Sequence, residues 1–424
     1  MSKQEKLLLV GGDLATPDVI AYCKKLGVYT IMTNHIPLAE NPFKQMADEA
    51  WEIPVEELDL LEEKCREAGV TAVFAGVKEH NLDMTQALAK RLGLPFYASD
   101  EGWACARDKG RFKEHCIAVG LDVPTRYPIR KPFTREMLDQ VRYPVLIKPV
   151  DASAQRGLSV CRNEEELIPA FDKALACSVS GDIIVEDYIE GIEICIACCF
   201  IDRKPLLHML SACYPITLND RSTLCFITPS SYHYDNFLKK HGAHLEALFS
   251  RLDCRQGSMN IQAMYKDGRY YLLEMGYRLD GSGSWRSYKQ QTGYSPLELH
   301  VDIQLGRGDQ HWRPTVAVKN PPYILSAYHL YCKPGKISRI QGLDQLKNME
   351  GVNIAFQRFH EGDEVTGTGN MFQTAFFLML LSKDEGAAVE LVQEINRTIR
   401  FFDEDGRDML AYFDDFAPLL NPEG

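Results

Sequence analysis

Short apolar runs, each followed by an amphipathic stretch, organise residues 1–100. Leu7 to Val10 has the length of a strand and Gly11-Gly12-Asp13 reads as a turn. Thr16 then reads as an N-cap and Pro17 as the first residue of a helix that Gly27 ends. The pattern repeats: strands over 28–33, 50–53 and 70–75, helices over 56–68 and 81–92 stopped by Gly69 and Gly93, and a last apolar run over 94–97. Such alternation predicts a parallel, doubly wound sheet. The Gly-Gly-Asp turn lacks the three-glycine dinucleotide fingerprint, so it reads as an ordinary βα turn.

From Asp100 the pattern changes. A helix carrying Lys109 and Phe112 leads to a strand over 143–149 that ends with Lys148-Pro149. A small-residue loop with Ser153, Arg156 and Gly157 follows. Asn163 to Glu166 has capping-box spacing for a helix to Cys177, and strands are expected over 182–186 and 192–200. This section is antiparallel-leaning α+β. Farther on, two alternating runs, 261–265 and 270–275, flank Asp267-Gly268, a strong hairpin signal. With that turn pair, Gln262 and Glu274 lie on neighbouring strands and could point to the same face. A carboxamide beside a carboxylate suits Mg²⁺, and the planar cation of Arg278 follows at once. Taken alone, such a hairpin is more often plain sheet with a solvated glutamate, so its chemistry depends on what surrounds it. After Arg307, strands are expected around 323–332 and 352–359, and a helix over 385–401.

Composition narrows the functional classes. A length of 424 residues allows two to four domains, and 45% hydrophobic residues suffices for large cores. The divisions read from the pattern are 1–100, 101–306 and 307–424. A net charge of −12 argues against non-specific nucleic-acid binding and points to small-molecule partners. No apolar stretch approaches the ~18 residues of a membrane span. With a polar N-terminus, this favours a cytoplasmic protein without a membrane partner. The 13 cysteines are scattered and read as reduced, buried thiols. Cys195 and Cys198 have Cys-x-x-Cys spacing, but they sit in an apolar strand without a second ligand pair, so zinc is not expected there.

In chain order, Lys109, Lys148, the loop to Gly157, Glu186-Asp-Tyr-Ile189-Glu-Gly-Ile-Glu193, Gln262, Glu274 and Arg278 resemble the ATP-grasp superfamily over roughly residues 100–300. Within it the chain looks most like the carboxylate–amine ligases related to carbamoyl-phosphate synthase large subunits, biotin carboxylase and L-amino-acid ligases. The resemblance implies α/β and α+β architecture: a Rossmann-like N-terminal domain, a two-lobed nucleotide-binding domain and a smaller α+β C-terminal domain. It implies ATP with Mg²⁺, Mn²⁺ being an admissible substitute. Lys109 and Lys148 would meet the phosphates, with Ser153 and Gly157 in the loop that cradles them. Glu186 would accept from the adenine amino group, the backbone at Ile189 would read the ring edge, and Glu193 would hold the ribose. Gln262 and Glu274 would ligate metal, and Arg278, with Lys148, would act on the reacting groups.

Gly276 departs from the family, because many relatives carry a metal-binding asparagine there. The expected reaction is ATP-dependent joining of a carboxylate to an amine through an acyl phosphate, by a monomer or a homodimer. Carboxylation or phosphorylation of a small metabolite on the same scaffold is the alternative, as is ATP sensing without turnover, which Gly276 would favour.

Overall fold

The computed structural model describes residues 4–150, 156–218, 221–281, 283–308 and 323–421. Strands β1 (Lys6–Val10), β2 (Tyr29–Thr33), β3 (Glu49–Trp51) and β4 (Ala72–Phe74) form a parallel sheet in the order β3-β2-β1-β4. Leu8, Val10, Ile31 and Val73 enter one core and Leu7, Leu9, Met32 and Phe74 another, on opposite faces of that sheet. Burial on both faces explains why these strands are continuous apolar runs and not alternating ones. Gly27, Gly69 and Gly93 close three helices with φ of 71°, 69° and 67°, the left-handed conformation expected of a C-terminal glycine.

Two local expectations shift. Thr16 is the first helical residue, not the cap: the Asp13 carboxylate accepts from the Ala15 N–H, while the Thr16 hydroxyl accepts from the Asp13 N–H. Residues 94–97 form no strand. Pro95 has no N–H to give a ladder, and Phe96 and Tyr97 instead pack against Trp103.

Residues 126–187 contain a small antiparallel lobe with its own core. Its strands are β5 (Arg126–Tyr127), β6 (Val145–Pro149), β7 (Ser159–Cys161) and β8 (Ile183–Asp187), in the order β5-β8-β6-β7. The helix Glu164–Cys177 covers it, capped as read: the Asn163 side chain accepts from the Glu166 N–H at 2.9 Å.

A nine-stranded sheet forms the centre of the molecule. β9 (Ile192–Ile201), β10 (Lys204–Leu218), β11 (Arg221–Pro229), β12 (Gln256–Lys266) and β13 (Arg269–Gly276) pair as β13-β12-β9-β10-β11. The sheet continues through β14 (Ile324–Cys332), then Thr374–Ser382, then Val352–Gln357, and the ninth strand, Leu410–Ala411, pairs with β14. Strands from beyond residue 322 thus extend the sheet that carries the hairpin. Asp267 and Gly268 have φ of 49° and 77°, the two positive values that a type I′ turn requires. The last long helix is Glu385–Thr398, and Arg400–Phe402 is a strand paired with Arg339–Gln341, whereas a helix to 401 was expected. Arg400 donates back to the Asn396 and Ile399 carbonyls and satisfies the helix end there.

Candidate functional site

Alternation along the central strands sorts their side chains. On β9 and β12, Ile194, Ile196, Ile261 and Ala263 enter the core, which leaves Glu193, Cys195, Asn260 and Gln262 on the opposite face. Gln262 pairs with Glu274 on one side and Cys195 on the other, and Asn260 pairs with Gly276. A register shift lies just past the Gln262–Glu274 pair. The expected convergence of Gln262 and Glu274 is therefore present. Lys109, in the first turn of the helix Lys109–Ala118, reaches over this face and its Nζ lies 2.6 Å from Glu274 Oε2. Burial, and then the Glu274 charge, raises the pKa of Glu193.

A second cluster lies under the small lobe. Lys148 Nζ donates to Glu186 Oε1 at 2.7 Å, and Lys113 is paired with Oε2 of the same carboxylate. Glu186 is 1% exposed. Burial opposes its ionisation, but the Lys148 and Lys113 charges outweigh it and hold the carboxyl below the usual range. Burial also pulls the Lys113 pKa down, helped by Lys148 and Lys109 and opposed by Glu186. Two ammonium groups therefore share one buried carboxylate, an excess of positive charge suited to phosphate oxygens. Both Glu186 oxygens already hold a lysine, so another donor can reach this carboxylate only if one of the two turns away. Lys113 escaped the sequence reading. Its signal is spacing: it lies one helical turn after Lys109, on the same face.

The remaining expected residues fall around these clusters. Gly157 has φ of 73°, and a Cβ there would stand 2.9 Å from Pro149 Cγ, so the loop returns onto β6 only with glycine at this point. Ser153 lies outside the described residues. Asp187 and Tyr188 donate to the Thr125 and Pro144 carbonyls, whereas the next N–H, that of Ile189, donates no backbone hydrogen bond among the described residues. Arg278 spans two elements: Nη1 donates to the Leu279 carbonyl at 2.9 Å and Nη2 lies 3.4 Å from Glu79, while its buried Nε has no partner among the described residues. Glu79 also holds Arg107 at 3.4 Å, so a carboxylate of the N-terminal section faces two guanidinium groups.

Gly276 acquires a physical reason. A Cβ at this position would lie 2.8 Å from Asn260 Oδ1, because the Asn260 carboxamide occupies the space over the glycine. The amide missing from the Glu274 strand is thus present on the neighbouring strand, where Asn260 Nδ2 donates to the Arg278 carbonyl at 3.3 Å and Oδ1 stands toward Gly276. Three oxygen donors, from Asn260, Gln262 and Glu274, share one face. This donor set fits a hard divalent cation that keeps part of its water shell.

The family described as D-ala D-ala ligase C-terminus matches residues 122–210. The 2-oxoglutarate carboxylase small subunit of Hydrogenobacter thermophilus is 31% identical over 41% of the chain, and the carbamoyl phosphate synthase large chain of Clostridium beijerinckii is 24% identical over 93% of it. The chain spans only 40% and 37% of the lengths of these two relatives. In three dimensions it is similar to the L-amino acid ligase of Bacillus licheniformis, with a TM-score of 0.73 and 19% identity over 95% of this chain and all of the other. The parallel sheet, the small antiparallel lobe and the large sheet with its ordered charged residues give the chain an ATP-grasp fold, and these matches support its place in the ATP-grasp superfamily.

Proposed function

We propose that the protein is an ATP-dependent carboxylate–amine ligase that activates the acid as an acyl phosphate and releases ADP and phosphate. The observation that carries this reading is the shared face of Gln262, Glu274 and Asn260 with Lys109 at its edge, set beside the Lys148–Glu186–Lys113 cluster. Asn260, Gln262 and Glu274 would hold Mg²⁺, which when bound neutralises charge on the phosphate oxygens. Lys148 and Lys109 would move from Glu186 and Glu274 onto those oxygens. Glu186 and the Ile189 backbone would take the adenine edge, Glu193 the ribose, and Gly157 the close turn of the phosphate loop. Arg278 would hold the substrate carboxylate in two-point fashion and steady the acyl phosphate as charge develops. Such a reaction depends on placement and charge neutralisation, which explains a site made of cations and oxygen donors.

The test follows one oxygen. With an ¹⁸O-labelled carboxylate, an acid-plus-amine screen should yield a coupled product and phosphate carrying one labelled oxygen. Hydroxylamine should trap the acid as a hydroxamate when the amine is left out. Unlabelled phosphate beside authentic amide product would refute the acyl phosphate. A second reading, carboxylation, is favoured by the match to a carboxylase subunit. It requires ADP release that depends on bicarbonate and not on an amine.

A further inference from the structure

At the border of the nucleotide face lies a square of donors of which this reading uses only Glu193. On β9 and β10, Glu193 pairs with Cys213 and Cys195 pairs with Ser211, so four donor side chains occupy the corners of one patch on one side of the sheet. The ligand atoms of Glu193, Cys195 and Cys213 all lie within 4.8 Å of one another. The two sulfurs are 3.3 Å apart. The fourth corner gives an independent sign: Ser211 is 1% exposed, and its hydroxyl has no hydrogen-bond partner among the described residues. A buried hydroxyl left unpaired is destabilising, and a ligand at the patch would relieve it.

We propose that Cys195, Cys213 and Glu193 form a binding site for a thiophilic divalent cation of the zinc type, with the Ser211 side as its fourth position. Two sulfurs and one carboxylate oxygen select softer metals over magnesium. At Zn–S distances of ~2.3 Å, two tetrahedral sulfur ligands stand ~3.8 Å apart. The observed contact therefore has to open by only about 0.5 Å. The Cys-x-x-Cys pair is not this site: Cys198 turns to the other side of β9, where its thiol donates to the Met259 carbonyl. The second sulfur comes from the neighbouring strand. Uptake of M²⁺ by two thiols and a carboxylate therefore forms two M–S bonds and releases two protons to solvent. Because Glu193 would also hold the ribose, metal and nucleotide exclude one another; that consequence rests on the reading above, while metal binding does not.

Titration of the reduced full chain with Co²⁺, followed by displacement with Zn²⁺, tests the site. One metal per chain, sulfur-to-cobalt charge-transfer absorption and release of about two protons are expected. Cys195→Ser and Cys213→Ser should each weaken binding by more than ~100-fold, beyond the loss of an outer-shell partner. A missing charge-transfer band, or variants that bind within about threefold of the parent, would overturn the site. Should a variant not fold, the parent alone decides: one equivalent of Zn²⁺ should slow alkylation of the half-buried Cys195 relative to the half-buried Cys177, and equal rates would overturn it. Zinc at a buffered free concentration should also raise the apparent Kd for MgADP. Binding of zinc with nucleotide affinity unchanged would overturn the competition, and with it the ribose role of Glu193, while the metal site stands.

Discussion

Changing Glu186 to Gln leaves the buried Lys113 and the partly buried Lys148 ammonium groups without their shared partner, whereas changing Lys113 to Met leaves one balanced pair. The cluster holds two positive charges and one negative, so Glu186→Gln takes its net charge from +1 to +2 and Lys113→Met takes it to zero. At an effective dielectric of ~20, each charge pair about 4 Å apart is worth ~4 kcal/mol. Removing one partner of a buried pair costs ~3–5 kcal/mol. Lys113, already lowered by burial, can shed its proton in the Gln variant and cap the penalty near the lower end. Glu186→Gln should therefore destabilise the small lobe by about 3 kcal/mol at neutral pH, and Lys113→Met by less than ~1 kcal/mol.

The pH dependence has a definite sign. Glu186 titrates below the ordinary glutamate value of ~4.3, so its contribution is complete above that pH and disappears as pH falls through the lower folded value. The difference between Glu186→Gln and the parent should close in that acid window. Native-state hydrogen exchange at the β6 and β8 amides reads this lobe without requiring the whole chain to unfold in one step. A Gln variant within ~1 kcal/mol of the parent at pH 7, or a Met variant as unstable as the Gln variant, would refute the charge argument.

Three further predictions concern the proposed chemistry. Glu274→Gln should keep the fold and nearly abolish ADP release, because the face loses its one anionic metal donor; near-normal turnover at saturating Mg²⁺ would remove Glu274 from that role. Lys148→Ala should weaken MgATP binding by about 10–100-fold in calorimetric titration, the value of one or two charge-assisted hydrogen bonds, against almost no change for a lysine that merely pairs with Glu186. Asn260→Ala should raise the Mg²⁺ concentration needed for tight nucleotide binding, and Gly276→Asn should fail in the parent because its Cβ meets Asn260 at 2.8 Å. The double variant Asn260→Ala/Gly276→Asn should regain the affinity, and a purely additive loss would show that Asn260 does not stand in for the missing amide.

The linear pattern alone determined the parallel N-terminal sheet, the capped helix after Asn163 and the hairpin at Asp267-Gly268. Each depends on local rules: burial on both faces of a strand, side-chain capping, and a turn whose two central residues accept positive φ. Gln262 meets Glu274 by a step that the turn does not set: the register from Asp267-Gly268 runs as far as Ala263 opposite Leu272, and only the shift between Gln262 and Ala263 brings Glu274, in place of Leu273, opposite Gln262. Tertiary structure decided which faces meet. Lys113 finds Glu186 across 73 residues, Asn260 fills the space over Gly276, and Cys195 finds Cys213 on the adjoining strand. Strand order in the central sheet, including the entry of β14 from beyond residue 322, makes those meetings possible. Local periodicity encodes which way a side chain points from its own element. The element it points toward is set by long-range pairing, whose loop-closure cost and packing gain leave no periodic trace in the sequence.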